Sequence, residues 1–118
     1  MTMPLADVRF EPRDDVVVAR MQGEIDMSNA DELGGALGSQ VSRDVRALVL
    51  DLREIAYLDS AGVRLIYSLR QRLDHRGQQL RIVVTPGGPI ADTLRIADVP
   101  RTVGALETVD AAVDSLDG

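Results

Sequence analysis

The chain has 118 residues, the size of a single domain, and its 45% hydrophobic and 27% charged side chains are ordinary for a soluble globular protein. Its 13 basic and 19 acidic side chains give a net charge of −6, which opposes binding to nucleic acids and anionic membranes, and 3% aromatics leave few platforms for stacking bases. The absence of cysteine excludes disulfides, thiolate catalysis and zinc fingers. We therefore predict one domain over residues 1–118, with no metal site and with neither a nucleic-acid nor a membrane partner.

The first half of the chain predicts two strands, a helix and a buried strand. Residues 5–10 alternate roughly between apolar and polar side chains, as an edge strand does, and a turn is expected over residues 11–15. A second strand is expected over residues 16–22, ended by Gly23. The pattern then predicts a helix over residues 28–42 with Ser28 as its N-cap, and a buried strand over residues 45–52.

The second half of the chain continues the alternation of strands and helices. After a short loop, residues 60–76 predict an amphipathic helix that ends before Gly77. The remaining segments predict a buried strand at 80–84, a turn at 85–89, a helix at 89–97, a weak strand at 102–106 and a short helix at 110–116. This order indicates an α/β fold, and we expect a mixed sheet of four or five strands with helices packed mainly on one face.

The helix predicted over residues 60–76 has an apolar side and a polar side. At 100° per residue, Ser60, Arg64, Tyr67 and Gln71 fall within roughly 60° of one another, opposite the apolar side chains. Ser60 is expected at or just before the first helical turn. A serine there is commonly a cap, but the helix dipole and the free amides also favour a phosphate at this position.

The chain contains no obvious catalytic motif. Paired carboxylates such as Asp14 and Asp15 are typical of a solvated surface as well as of acid–base sites, and a serine triad would need the single histidine, His75. The amino-terminal segment has no signal-peptide pattern, and no apolar run approaches the roughly 20 residues that cross a bilayer. We therefore expect a cytoplasmic protein that binds a partner rather than an enzyme.

Two short motifs resemble the STAS domain, and specifically the bacterial anti-sigma factor antagonists. The strand LVLDL at 48–52 and the helix start DSAG at 59–62 are similar to the family's V-L-D-L strand and its D-S-[ST/A]-G segment. The segment GEID at 23–26 is similar to the family's G-E-[LIV]-D, which precedes the first helix. The order and spacing of the motifs, the chain length and the closing short helix agree with the family over nearly the whole chain.

The resemblance implies a regulator that works by partner switching. The unphosphorylated protein would bind an anti-sigma factor of the serine-protein kinase type and free its sigma factor. Phosphorylation of Ser60 by that kinase would end the binding, and a metal-dependent serine phosphatase would reset it. No cofactor is implied for this chain, because the ATP belongs to the kinase. The expected partner-binding residues combine the two motifs with the polar side of the helix: Asp26, Ser28, Asp59, Gly62, Arg64, Tyr67 and Gln71.

Arg64 departs from the family pattern, since the phosphorylated antagonists usually have glycine there. Its side chain could pair with a phosphate on Ser60 or obstruct the kinase. Two alternatives therefore stay open. One is a STAS module that is never phosphorylated and serves as a scaffold. The other is a small carboxylate-based hydrolase or phosphotransferase, against which the single histidine and the absence of a phosphate-binding loop argue.

Overall fold

The computed structural model describes residues 6–116, which form a five-stranded mixed sheet with helices on both faces. The strands lie side by side in chain order: β1 (Ala6–Arg13), β2 (Val16–Ile25), β3 (Ala47–Leu58), β4 (Gln79–Val83) and β5 (Ala105–Leu106). β1 is antiparallel to β2, and the other neighbours are parallel. The predicted α/β fold with a mixed sheet is confirmed. Leu5, predicted to begin the first strand, and the two ends of the predicted domain lie outside the described residues.

The helices fill the connections between the strands. They are α1 (Ala30–Gln40), α2 (Ser60–His75), α3 (Ala91–Ile96) and α4 (Val109–Asp114), with a π-helical turn at Pro100–Gly104. Leu48 and Leu50 of β3 pack in the core that α1, α2 and α3 cover, whereas Val49 packs under α4 on the opposite face. Because neighbouring side chains of a strand point to opposite faces, β3 contributes to both cores. Within residues 6–116, three of the four α-helices lie on one face, as predicted.

Three predicted boundaries around β2 and β3 are wrong. The turn expected over residues 11–15 is only Asp14 and Asp15, since β1 continues to Arg13 and pairs with Val16. Gly23 does not end β2, because its φ of 111° and a shift in register next to it form a bulge within the strand. The loop expected after residue 52 is the second half of β3, which stays paired with the extended β2 as far as Leu58.

Two weaker predictions also need correction. The first helix begins at Ala30 rather than Ser28, and Asn29 occupies the N-cap position. The strand expected over residues 102–106 is reduced to Ala105–Leu106, because residues 100–104 form the π-helical turn. In both cases a side-chain hydroxyl makes a local hydrogen bond where the sequence pattern predicts a helix or a strand. Ser28 donates to the carboxylate of Asp26, and Thr102 donates to the carbonyl of Asp98.

Candidate functional site

The amino-terminal end of α2 is capped by Asp59, which leaves Ser60 without a capping role. The carboxylate of Asp59 accepts hydrogen bonds from the backbone N–H groups of Ala61 (2.8 Å) and Gly62 (3.2 Å). Ser60 is the first residue of the helix, it is exposed, and its hydroxyl forms no hydrogen bond with any described residue. The hydroxyl therefore points to solvent at the positive end of the helix dipole.

Gly62 lies on the buried side of α2, although it was predicted to contact a partner. A Cβ atom built at this position would lie 2.7 Å from Cγ of Leu58 and 3.3 Å from Cγ2 of Ile25, both of which are core residues. The glycine thus permits α2 to pack closely on the ends of β2 and β3. Gly62 therefore helps to set the position of Ser60, and its predicted contact with a partner stays a prediction.

The loop before α1 is held in shape by its own side chains. Oδ1 of Asp26 accepts hydrogen bonds from the backbone N–H (2.8 Å) and the hydroxyl (2.5 Å) of Ser28. Asn29 accepts a bond from the backbone N–H of Asp26 and donates one to the carbonyl of Glu24. The two bonds from Ser28 lower the pKa of Asp26 below its ordinary value, so this carboxylate is ionised at neutral pH. Ser28 is therefore a partner of Asp26, and its predicted role as the N-cap of α1 is wrong.

The parallel pairing of β2 with β3 brings this loop to the start of α2. Leu58 is the register partner of Ile25, and the backbone N–H of Asp59 donates to the carbonyl of Ile25 (3.3 Å). The two motifs, which are more than thirty residues apart in sequence, thus meet at the carboxyl edge of the sheet. Asp26, Ser28, Asp59 and Ser60 were predicted to share a surface, and the fold places them at one end of neighbouring strands.

The polar side of α2 is only partly as predicted. Arg64 and Gln71 are exposed, and Arg64 forms no ion pair with any described residue. Tyr67 was expected to be exposed, but it is half-buried, and its predicted contact with a partner stays a prediction. Its ring packs against the core, and its hydroxyl donates to the carbonyl of Ala97 (2.6 Å) and lies 3.0 Å from Oγ1 of Thr102. Helical phase alone does not show that the segment after α3 folds over this residue.

A second polar cluster lies on the sheet face that α4 leaves open. Asp51 of β3 is buried and accepts hydrogen bonds from the guanidinium groups of Arg20 (2.9 Å) and Arg53 (2.7 and 2.8 Å). Burial raises the pKa of Asp51, but the bonds and charges of the two arginines outweigh it, so the pKa lies below its ordinary value. A carboxylate whose pKa is lowered in this way is a poor proton donor at neutral pH and also a weak base. The groove of about 740 Å³ beside it thus gives the acid–base alternative no support.

The geometry also separates the residues that a serine hydrolase would need. Ser60 and His75 are the first and last residues of α2, which places them roughly 22 Å apart at 1.5 Å per residue. Among residues 6–116 there is no cluster of acidic or histidine side chains that could hold a metal ion. The histidine that a serine triad would need is therefore at the opposite end of α2 from Ser60.

Comparison with known proteins shows the family to which the chain belongs. A family model described as the STAS domain matches residues 7–115, which is nearly the whole chain. The protein belongs to the STAS domain family. Both motifs that resemble the family, including Asp26 and Ser60, lie within the matched residues.

Relatives of this STAS domain include named anti-sigma factor antagonists. The protein BtrV of Bordetella bronchiseptica, named as such an antagonist, is 35% identical over 60 residues, which cover 51% of this chain and 52% of that protein. The anti-sigma-F factor antagonist RsfB of Mycobacterium tuberculosis is 27% identical over 104 residues, covering 87% and 83%. A solved anti-sigma factor antagonist from Mycobacterium paratuberculosis superimposes with a TM-score of 0.83 at 26% identity, covering 98% and 97%. The match to BtrV spans only about half of that protein.

The STAS domain also exposes apolar side chains that were not among the predicted site residues. Met27, between Asp26 and Ser28, is 84% exposed, and Ile96 at the end of α3 is 82% exposed. Tyr57 is 49% exposed and is the register partner of Glu24, close to the same loop. An apolar residue within an otherwise polar turn is the signal that could have revealed Met27. Among residues 6–116, no helix is long and apolar enough to cross a membrane.

Proposed function

We propose that this protein is an anti-sigma factor antagonist whose binding is switched off by phosphorylation of Ser60. In the cytoplasm, the unphosphorylated domain binds an anti-sigma factor of the serine-protein kinase type and frees the sigma factor. The kinase then phosphorylates Ser60, and a serine phosphatase restores binding. In this proposal the domain acts by binding alone, and the chemistry belongs to its partners.

The free hydroxyl of Ser60 is the observation that carries the proposal. A serine at a helix start is commonly a cap, but here Asp59 accepts the first amide hydrogen bonds and leaves Ser60 exposed. The family membership and the named relatives supply the class of partner.

The charge around Ser60 explains why a phosphate would act as a switch. A phosphate adds about −1.5 to −2 charges at pH 7. In the free domain, the amino terminus of α2 favours that charge by about 0.3–1 kcal/mol, and Arg64 lies one turn along the helix. In an interface that fits a neutral hydroxyl, the same charge would be desolvated beside Asp59 without a partner. The fold is therefore expected to tolerate phosphorylation, whereas binding is not.

Substitution of Ser60 tests this switch. Ser60→Asp is expected to weaken binding to the anti-sigma factor at least tenfold, or about 1.4 kcal/mol, in a calorimetric titration. Ser60→Ala should bind like the wild type and keep binding after incubation with the kinase and ATP. Ser42→Asp adds the same charge at an exposed serine beyond the end of α1, and it should bind normally.

The role of Arg64 is separated by a double substitution. If Ser60→Asp binds like the wild type but Ser60→Asp with Arg64→Ala does not, Arg64 neutralises the negative charge and makes the domain insensitive to it. If neither variant loses affinity and the kinase does not modify Ser60, the switch is wrong. The domain is then a STAS module that is not regulated by phosphorylation.

A further inference from the structure

A shallow groove of about 320 Å³ runs between α1 and α2, beginning close to Ser60. Leu65 and Leu69 of α2 line it, and Gly34 and Gly35 form part of the α1 side. A Cβ atom at Gly35 would meet nothing within 4 Å, so the missing side chain leaves this part of the groove open. The exposed side chain of Met27 borders the same groove.

The groove is positively charged, although the whole chain carries a net charge of −6. Arg64 and Arg72 line it two turns apart on α2, and Asp31 is the single acidic residue among its described lining residues, which leaves a net charge of +1. Neither arginine forms an ion pair with any residue of 6–116. Most other arginines there are paired with carboxylates, including Arg13, Arg20, Arg46, Arg53, Arg95 and Arg101.

The position of Arg72 is set by a glycine on the facing helix. A Cβ atom at Gly38 of α1 would lie 1.8 Å from Nη1 and 3.0 Å from Cζ of Arg72, so the guanidinium group occupies the space over this glycine. The side chain thus lies over α1 and remains exposed to solvent, where an acidic group of a partner could reach it.

We propose that this groove binds an acidic amphipathic helix of the anti-sigma factor. The apolar face of that helix would contact the exposed side chain of Met27 and lie over the open position at Gly35, and its carboxylates would pair with Arg64 and Arg72. A groove between two helices can hold a third helix, and carboxylates on that helix would complement the two unpaired arginines. The inference rests on the proposed function and extends the partner's contact area from Ser60 along α2 to Arg72, roughly 18 Å at 1.5 Å per residue.

Filling the groove and reversing its charge test the inference independently. The probes are the serine-kinase anti-sigma factors of the source organism, purified and titrated one at a time against each variant. Gly35→Leu fills the open part of the groove, and Arg72→Glu reverses its charge. Each is expected to weaken binding at least tenfold, and the affinity of the wild type should fall with rising salt more steeply than that of Arg72→Glu.

Two controls keep these results interpretable. Arg43→Glu makes the same charge reversal at an exposed arginine outside the groove, and it should bind like the wild type. Urea denaturation should give Gly35→Leu a midpoint no lower than that of the wild type, since the new side chain begins in open space. A binding loss in a stably folded Gly35→Leu variant therefore reports on the groove.

The outcomes distinguish this inference from the proposed function. If the wild type binds none of the anti-sigma factors, the proposed function is wrong and the inference falls with it. If the wild type binds but Gly35→Leu and Arg72→Glu bind equally well, only the inference is wrong. If Gly35→Leu converts a dimer into a monomer in size-exclusion chromatography, the groove is a contact between two copies of this chain, which also overturns the inference.

Discussion

Tyr67 connects α2 to the segment that follows α3. Its ring packs against the core, while its hydroxyl bonds to the carbonyl of Ala97 and lies within hydrogen-bond distance of Thr102. Thr102 in turn donates to the carbonyl of Asp98, so one side chain closes a small network over the π-helical turn. Tyr67 therefore contributes to the stability of the fold.

Substitution of Tyr67 is expected to affect stability in two steps. Tyr67→Phe removes only the hydroxyl and should lower the free energy of unfolding by about 0.5–1.5 kcal/mol. Tyr67→Ala also removes the ring, which is only partly buried, and should therefore cost more than Tyr67→Phe but less than the roughly 3–5 kcal/mol of a fully buried aromatic side chain. Chemical denaturation measures both values. A Tyr67→Ala variant as stable as the wild type would show that neither the ring nor the hydroxyl contributes to the fold.

Asp51 is the second residue whose environment decides its behaviour. Arg20 and Arg53 hold it ionised on the open face of the sheet, and its pKa is below the ordinary value. A group whose pKa is lower in the folded state stabilises the fold above its unfolded pKa of about 3.9, and this contribution is lost as the pH falls through the folded pKa. The Asp51 cluster should therefore stabilise the protein at neutral pH and not in strong acid.

Asp51→Asn tests this pH dependence. At pH 7 the substitution should lower the free energy of unfolding by about 1–3 kcal/mol, because charge-assisted hydrogen bonds are lost. The difference from the wild type should shrink as the pH is lowered from 5 to about 2. Urea denaturation at several pH values measures it, with Asp74→Asn as a control at a surface ion pair of 3.8 Å. A difference that stays constant over this range would contradict the ionised state of Asp51.

At the scale of elements, the glycines of α1 and α2 have different functions. Gly62 allows α2 to approach the ends of β2 and β3, and Gly38 accommodates Arg72. Among the described residues of its last turn α1 has no basic side chain, but Arg76 at the end of α2 donates to the carbonyl of Val41. A cation near the carboxyl end of a helix interacts favourably with the helix dipole. Arg76 therefore supplies the basic group that the last turn of α1 lacks.

Alanine at two of these glycines should change stability in opposite directions. Alanine is favoured over glycine inside a helix by about 1 kcal/mol. Gly35→Ala meets no neighbour and should therefore stabilise the protein by up to that amount. At Gly62 the added Cβ would meet the buried side chains of Leu58 and Ile25, and overpacking of this kind costs about 1–3 kcal/mol. Denaturation curves should thus show a net loss for Gly62→Ala, and a gain there would mean that α2 can shift away from the sheet.

At the scale of the whole molecule, β3 connects two cores that lie on opposite sides of the sheet. Leu48 and Leu50 belong to the larger core under α1, α2 and α3, whereas Ala47 and Val49 belong to the smaller core under α4. Because one strand contributes to both, loss of either core removes support from the other. We therefore expect residues 6–116 to unfold as one cooperative unit.

Leu69→Ala tests this coupling from the larger core. Leu69 of α2 is 2% exposed, and its truncation should lower the free energy of unfolding by about 2–5 kcal/mol. NMR signals from α2 and α4 should lose intensity at the same denaturant concentration, although α4 does not touch the substituted site. Gln71→Ala, at an exposed position two residues away, should change stability by less than about 0.5 kcal/mol. Separate midpoints for the two helices would show that the cores unfold independently.

The sequence by itself determined the α/β class, the buried strand at 48–52, the helix from Ser60 and the two motifs, because hydrophobic periodicity and helix-start signals are local. It did not determine where β2 and β3 end, since their second halves are held by pairing with each other across a bulge at Gly23. The partial burial of Tyr67 and the packing role of Gly62 likewise depend on segments distant in sequence. Only the tertiary structure could assign the cap of α2 to Asp59 and leave the hydroxyl of Ser60 free, because adjacent polar residues at a helix start compete for the same amides.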